Sequence, residues 1–270
     1  MQLDVMPIDI IGIRRAWRNV RRVIGKADIV LEVVDARDPL GTRSSKLENL
    51  VKRYNKPLII VINKADLVPR DVLEKWKYHF EKEYPTIYIG AKNRLGTTFL
   101  WKVIKKVAPQ DKRVVRVAVT GFPNVGKSTI INVLKGRHSA STSPKAGHTK
   151  HVQEFRAAQW LKVIDTPGII PIEEDEEALA LRFALNSEQL SDPIGAAIRL
   201  IRIGLNLDPT VFRKTYGIEH RDPEKILEEL AKKRGFLLKG GKLNIEEAAR
   251  VLLRDWLTGK LVFYYPPPSS

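Results

Sequence analysis

A strand, a glycine-bounded loop and a helix follow one another at residues 114–129, and this succession constrains the fold more than any other feature. The β-branched run 114–119 leads into Gly121-Phe122-Pro123-Asn124-Val125-Gly126-Lys127-Ser128, after which apolar residues recur at helical spacing. A phosphate-binding P-loop requires this context, because backbone N–H groups of the loop and of the helix N-terminus must converge on phosphate oxygens. The alternative, a glycine-rich turn with a solvated lysine, is disfavoured because both flanking elements are present.

The residue types within this loop predict its roles. Lys127 is expected to reach the β- and γ-phosphates, and the hydroxyl of Ser128 to bind Mg²⁺. The loop alone does not distinguish ATP from GTP, or a kinase from a motor or a switch. The predicted phosphate-binding residues are Asn124, Val125, Gly126, Lys127, Ser128 and Thr129.

A second motif, Asn63-Lys64-Ala65-Asp66, ends the apolar run 57–62 and predicts which base is bound. A carboxylate at Asp66 can accept two hydrogen bonds from the N1–H and the exocyclic amine of guanine, a pairing that adenine does not offer. Lys64 can lie over the base, and Asn63 can tie this segment to the P-loop. Alone the tetrapeptide is a common strand-to-loop sequence, but together with a P-loop it indicates guanine.

Three further segments complete the predicted site. Gly90-Ala91-Lys92 follows the strand 86–89, and its small residues would let the Ala91 N–H meet the base carbonyl. Asp165-Thr166-Pro167-Gly168 follows a predicted hairpin, so that Asp165 could hold Mg²⁺ through water and the Gly168 N–H could sense the γ-phosphate. Thr149, in the polar stretch 139–150, could complete the Mg²⁺ shell.

Composition bounds the class of protein. The 270 residues suffice for one large or two modest domains, and 43% apolar with 29% charged residues is ordinary for a soluble globular protein. The absence of cysteine excludes disulfides, thiolate metal sites and thiol catalysis. No apolar run approaches the ~20 residues of a membrane span, so we expect a cytoplasmic protein without a membrane partner.

The net charge of +16 is larger than solubility requires and predicts a polyanionic partner, with nucleic acid first. The stretch 13–26 has the pattern of an amphipathic helix, with Trp17, Val20 and Ile24 on one face and arginines around the rest. That basic face is either solvated or in contact with a phosphate backbone, and the sequence leaves both alternatives open.

Taken together, these motifs resemble a Ras-type GTPase in which the base-recognition segments precede the phosphate-binding ones, the order of the circularly permuted GTPases. Asp35-Ala36-Arg37-x-Pro39 and the form of the P-loop resemble the YlqF/RbgA/YawG family of ribosome-assembly GTPases. The resemblance implies an α/β fold: a circularly permuted Ras-like P-loop domain with a mostly parallel sheet over residues 1–175, in the motif order G4-G5-G1-G2-G3. A helical RNA- or ribosome-binding domain would follow over residues 176–270.

The resemblance also implies GTP hydrolysis with GTP/GDP and Mg²⁺ as cofactors, coupled to maturation of the large ribosomal subunit through rRNA contacts. A monomer that does not bind DNA is expected. A P-loop kinase or ATPase is disfavoured by the guanine motif at residues 63–66. The alternative from another functional class is a GTP-dependent RNA-binding scaffold with negligible hydrolysis.

The family replaces the usual catalytic glutamine with a hydrophobic residue, here Ile169, which cannot orient the attacking water. The N-terminal histidine motif of some members is absent, and His148 is a candidate substitute against the simpler interpretation of a solvated loop histidine. The resemblance also implies that Asn124 helps to hold K⁺ against the phosphates. The predicted catalytic residues are Lys127, Thr149, Gly168 and Asn124.

Overall fold

The computed structural model of the chain describes residues 10–90, 95–136, 152–170 and 175–268. These residues form two compact units, one from residues 10–170 and one from residues 175–265. The first unit carries the predicted nucleotide-binding segments, and the second is helical.

The first unit is built on a six-stranded sheet. The strands are β1 (Ile29–Asp35), β2 (Leu58–Asn63), β3 (Thr86–Ile89), β4 (Val115–Gly121), β5 (Gln153–Ala158) and β6 (Leu161–Asp165). Their spatial order is β3-β2-β1-β4-β6-β5, and every neighbouring pair is parallel except the β5–β6 hairpin. The predicted mostly parallel α/β fold is therefore confirmed.

Helices alternate with these strands. They are α1 (Ile10–Lys26), α2 (Ser45–Arg53), α3 (Arg70–Glu81), α4 (Thr97–Val107) and α5 (Lys127–Lys135). Every residue of β1 and of β2 is buried, so both faces of the central sheet are covered, as is normal for parallel strands. This explains why both segments are largely apolar in sequence, with Glu32 and Asp35 as the acidic exceptions in β1.

The strand order creates a topological switch point between β1 and β4. From β1 the chain proceeds to β2 and β3 on one side, and from β4 it proceeds to β5 and β6 on the other. In open α/β sheets, ligands bind outside the carboxyl ends of the strands at such a point, because the two diverging loops leave a crevice. The loops after β1 and β4 are thus placed beside one another although they are distant in sequence.

The second unit consists of α6 (Glu176–Leu181), α7 (Pro193–Leu207), α8 (Val211–Tyr216), α9 (Pro223–Arg234) and α10 (Ile245–Thr258). Side-chain caps start four of them: Asp175, Asp192, Asp222 and Asn244 each accept a hydrogen bond from the first turn. The core includes Trp256, which stacks on Phe263 with ring centroids 4.2 Å apart. None of the described helices combines the length and the apolarity that crossing a membrane requires.

Two short helices of this unit end next to residues in the left-handed conformation. Helix α8 has only six residues and ends at Tyr216, because its C-cap Gly217 is left-handed (φ 67°). Helix α6 ends at Leu181, and Phe183, two residues later, adopts the left-handed conformation (φ 65°).

Candidate nucleotide-binding site

The P-loop has the predicted strand–loop–helix geometry. β4 ends at Gly121, and α5 begins at Lys127. Gly126 precedes the helix in a left-handed conformation (φ 95°), and a Cβ atom there would lie 2.1 Å from Nδ2 of Asn63. Only glycine satisfies both the conformation and the close approach.

Asn63, the last residue of β2, connects the predicted base-recognition segment to the P-loop. Its buried side chain donates a hydrogen bond from Nδ2 to the carbonyl oxygen of Val125 over 2.9 Å. The predicted tie between these two motifs is therefore present, although 62 residues separate its partners in the chain.

Lys64 is held by a buried charge cluster. Its backbone is left-handed (φ 60°), and its Nζ lies 2.8 Å from Oδ2 of Asp35, at the end of the neighbouring strand. Asp35 also accepts two hydrogen bonds of 2.9 Å from the guanidinium of Arg37. Asp35 and Arg37 are both fully buried. Burial alone would raise the pKa of Asp35, but the charges of Arg37 and Lys64 outweigh it and hold that pKa well below its usual range.

In the sequence, the Asp35-Ala36-Arg37-x-Pro39 segment indicated only a resemblance to the YlqF/RbgA/YawG family. The charge cluster gives this segment a physical role. The carboxylate fixes the Lys64 side chain at the edge of the sheet where a base is predicted. Non-glycine residues in the left-handed region are uncommon and concentrate at functional sites. Asn124 in the P-loop is a second such residue (φ 59°).

Asp66 and Gly90, the two remaining described residues predicted to surround the base, lie side by side. A Cβ atom at Gly90 would be 3.3 Å from Oδ1 of Asp66. The carboxylate of Asp66 belongs to an exposed residue and is accessible to a ligand, whereas Ala65 is buried. Ala91 and Lys92 lie outside the described residues.

On the phosphate side, Lys127 is directed towards the P-loop backbone. Its Nζ donates hydrogen bonds to the carbonyl oxygens of Gly121 (3.2 Å) and Phe122 (2.5 Å). Burial lowers the pKa of Lys127 to about 8, against the opposing attraction of Asp165. Ser128 and Thr129 follow in the first turn of α5 and are exposed, which leaves their hydroxyl groups accessible.

The segment after β6 packs against the P-loop. Asp165 pairs in register with Val119 of β4, and Thr166 donates its hydroxyl hydrogen to the carbonyl oxygen of Val119 over 2.8 Å. The Ile169 N–H donates to the carbonyl oxygen of Gly121 over 3.1 Å. A Cβ atom at Gly168 would lie 3.0 Å from Cγ of Pro123, so this glycine touches the loop.

Ile169 itself is fully buried. Its side chain is part of the hydrophobic core of the first unit. This agrees with the prediction that Ile169 does not orient the attacking water. Thr149 and His148, the other residues considered for catalysis, lie outside the described residues.

The donors present suit Mg²⁺ but do not form a complete protein cage. Ser128, in the first turn of α5, and Asp165, the last residue of β6, offer hard oxygen ligands. Across the described ranges, no three His, Asp or Glu side chains cluster closely enough to hold a metal ion. This fits the usual preference of Mg²⁺, which combines one or two protein oxygens with water and substrate phosphates.

Comparison with protein families and known structures agrees with this geometry. Residues 13–174 match the family model described as RsgA GTPase, and residues 116–238 match one described as 50S ribosome-binding GTPase. The solved structure of YlqF from T. maritima in its GNP-bound form superposes with a TM-score of 0.66 at 29% identity, covering 94% of this chain and 97% of that one. Its GDP-bound form gives the same TM-score.

Curated relatives are similar over nearly the whole chain. An uncharacterized GTP-binding protein of Methanocaldococcus jannaschii is 38% identical over 91% of this chain and 65% of its own length. Nucleolar GTP-binding protein 2 of Cryptococcus neoformans is 34% identical over 95% of this chain and 39% of its own length. This chain thus spans between 38% and 65% of the length of the first curated relatives that it matches. From the family match, the strand order and the motif order, the chain belongs to the circularly permuted, YlqF-type GTPases.

Proposed function

We propose that the chain binds GTP and GDP at the β1/β4 switch point and hydrolyses GTP to GDP and phosphate. The observation that carries the proposal is the hydrogen bond from Asn63 to the carbonyl oxygen of Val125. It brings the base-recognition segment and the phosphate-binding loop into one site, so a single guanine nucleotide can contact both.

Each part of the nucleotide then has a proposed partner. Asp66 and the Ala91 N–H would bind the guanine edge, while Lys64 and Lys92 would flank the base. The P-loop backbone and Lys127 would hold the phosphates, and the Gly168 N–H would sense the γ-phosphate. Ser128, Thr149 and Asp165 would hold Mg²⁺, which would supply neutralisation of the charge that develops on the transferred phosphoryl group.

Base specificity provides the sharpest test of this site. Asp66→Asn replaces an acceptor pair by one donor and one acceptor, which no longer matches guanine but does match xanthine. We expect GDP affinity to fall at least about a hundredfold and xanthosine diphosphate affinity to rise, because unpaired buried polar groups cost a binding site several kcal/mol. Asp71→Asn, in an exposed position of α3, is the matched control and should leave both affinities unchanged. Tight ATP binding by the unaltered chain would contradict the proposal.

Asn124 is proposed to hold K⁺ beside the phosphates. It is exposed at the tip of the P-loop, and its left-handed backbone is an uncommon conformation that the loop maintains. An amide oxygen is a suitable neutral ligand for a monovalent cation. Turnover should therefore be faster in KCl than in NaCl at matched ionic strength, and Asn124→Ala should remove the difference. Equal turnover in both salts would refute this role.

The proposed cellular role is a cytoplasmic switch, acting as a monomer in assembly of the large ribosomal subunit through rRNA contacts. It is supported by the net charge of +16 and by the match to the model described as 50S ribosome-binding GTPase. Co-sedimentation with large ribosomal subunits, with GDP and with a non-hydrolysable GTP analogue, tests it. Indistinguishable binding in the two nucleotide states would count against a switch.

A second candidate is a GTP-dependent RNA-binding scaffold with negligible hydrolysis. The buried Ile169 favours it, because a fully buried aliphatic side chain cannot orient the attacking water. Single-turnover hydrolysis with and without large ribosomal subunits separates the candidates: a scaffold should show no stimulation, whereas a switch should be accelerated.

A further inference from the structure

Helix α1 presents a continuous basic face to solvent. At 100° per residue, its cations fall within one arc of the helix, opposite the buried side chains of Ile13, Val20 and Ile24. At 1.5 Å per residue, this face extends about 18 Å along the axis. The exposed cations are Arg14, Arg15, Arg18, Arg21, Arg22 and Lys26.

The exposed cations of α1 lack an ion-pair partner among the residues that the structure describes. Within the described ranges, no carboxylate forms an ion pair with any of them, whereas arginines elsewhere in the same unit, such as Arg37 and Arg43, are paired with acidic side chains. Like charges at i and i+4 disfavour a helix when they are left alone. Arg14, Arg18, Arg22 and Lys26 are spaced in this way. A polyanion laid along the helix would relieve this repulsion.

The opposite face of α1 excludes a membrane as the natural partner. An interfacial helix binds a bilayer by inserting its apolar face, but here that face is already buried in the first unit. The one aromatic residue of the helix, Trp17, is partly buried and engaged with the protein, so α1 offers no ring on which an unpaired base could stack. Single-strand binders rely on such rings, and a regular phosphate backbone therefore fits this surface better.

The helix is also in direct contact with the segment after β6. The indole N–H of Trp17 donates a hydrogen bond to the carbonyl oxygen of Ile170 over 3.0 Å. The neighbouring Ile169 is bound to the backbone of Gly121, and Gly168 touches Pro123 in the P-loop. The basic helix thus contacts the segment that is proposed to sense the γ-phosphate.

We propose that the exposed face of α1 binds the phosphate backbone of double-helical RNA, and that Trp17 transmits this binding to the nucleotide site. This proposal rests on the proposed function, because a role in ribosome assembly identifies the polyanion as RNA. It gives the first unit its own RNA contact, independent of the helical unit.

The direct test measures binding of the full-length chain, without nucleotide, to a fluorescent 20-base-pair RNA hairpin over a range of KCl concentrations. Each lost phosphate contact should reduce the slope of log affinity against log salt by about 0.7–0.9. The Arg14→Gln/Arg18→Gln/Arg22→Gln variant should therefore have a slope smaller by about 2–3, with affinity at least about tenfold lower at 0.1 M salt. The corresponding triple lysine variant keeps the charge and should remain within a few-fold of the original affinity.

A matched control removes the same charge elsewhere. Arg53, Lys105 and Lys106 on α2 and α4 are exposed and form no ion pair within the described ranges, and their triple glutamine variant should keep most of the salt slope. Equal losses in the α1 variant and this control, or an unchanged slope in the α1 variant, would overturn the proposal. Binding of phosphatidylserine vesicles in preference to RNA through the same arginines would also overturn it.

Transmission is tested with Trp17→Phe, which keeps a ring but removes the N–H donor to Ile170. The affinity for RNA should be unchanged. The hairpin should change the rate of GTP turnover by the original chain but not by this variant. Retention of that effect would refute the role of Trp17. RNA binding is measured without nucleotide and basal turnover without RNA, so failure of this inference and failure of the proposed function give different results.

Discussion

The charge cluster of Asp35, Arg37 and Lys64 predicts how substitutions change both the free energy of unfolding and the affinity for GDP. Asp35 and Arg37 are fully buried and in contact at 2.9 Å, so removing either partner leaves the other charge buried without its main counter-charge. Breaking a buried pair in this way costs about 3–5 kcal/mol of unfolding free energy. We therefore expect Asp35→Asn and Arg37→Met each to destabilise the protein by about this amount.

The double variant, Asp35→Asn/Arg37→Met, should cost at least about 2 kcal/mol less than the sum of the single changes, because both buried charges leave together. Urea unfolding monitored by tryptophan fluorescence measures these values, and four of the five tryptophans lie in the first unit. The control cycle uses the exposed pair Arg70 and Glu74 at 3.9 Å, whose coupling should not exceed about 0.5 kcal/mol. Additive losses for the buried pair would refute the reasoning.

The same variants separate stability from function. Asp35→Asn removes the negative charge that lies 2.8 Å from the Lys64 ammonium, whereas Arg37→Met leaves this contact in place. Hydrogen bonds to charged groups contribute about 1.5–3 kcal/mol, so GDP affinity should fall at least about tenfold in Asp35→Asn. It should change by no more than about threefold in Arg37→Met. Equal affinity losses in the two variants would show that the cluster serves only folding.

Three further predictions concern Lys127, Glu32 and Gly126. Lys127→Met should abolish tight GTP binding yet raise the unfolding free energy at pH 7 by about 1–3 kcal/mol, because the pKa of Lys127 is lowered to about 8 and charging this amine in the folded protein is unfavourable. In the unaltered chain this penalty disappears as pH rises from 8 towards the lysine pKa of the unfolded chain, about 10.4, so urea midpoints of the two proteins should converge by pH 10. Burial raises the pKa of Glu32 well above its usual value, so stability should fall by up to about 1.4 kcal/mol per pH unit above pH 4.3 until that pKa is reached. Glu32→Gln should remove this slope and be the more stable protein at pH 8, as thermal unfolding would show; equal pH profiles would contradict it. Gly126→Ala should displace Asn63, lowering GDP affinity at least about tenfold and stability by about 1–3 kcal/mol. Gly235→Ala, also at positive φ but with nothing within 4 Å, is its control and should reduce stability without changing affinity.

Sequence patterns predicted most elements because their physical signals are local. The apolar run 57–62 predicted β2, and the β-branched run 114–119 predicted β4. The P-loop and the hydrogen bond of Asn63 followed from motif context. The contact between Lys64 and Asp35 was not predicted, because it depends on β1 and β2 being neighbours, and only the strand order establishes that. The burial of Arg37 has no local signal either, since a charged residue in a loop after a strand is ordinarily exposed.

The strand order also explains why permutation leaves the site intact. A ligand at the carboxyl edge of a sheet contacts strand ends and the loops that leave them, and these depend on which strands are neighbours rather than on their order in the chain. Here β1 lies beside β4 although about eighty residues separate them, so Asp35 and the P-loop meet at one edge. The connection from α4 to β4 is also attached to the start of β1. The buried carboxylate of Asp28 accepts hydrogen bonds from the Lys112 ammonium and from the Arg116 N–H. These hydrogen bonds join the connector and the start of β4 to the start of β1, at the opposite end of the parallel strands from the loops that bind the nucleotide.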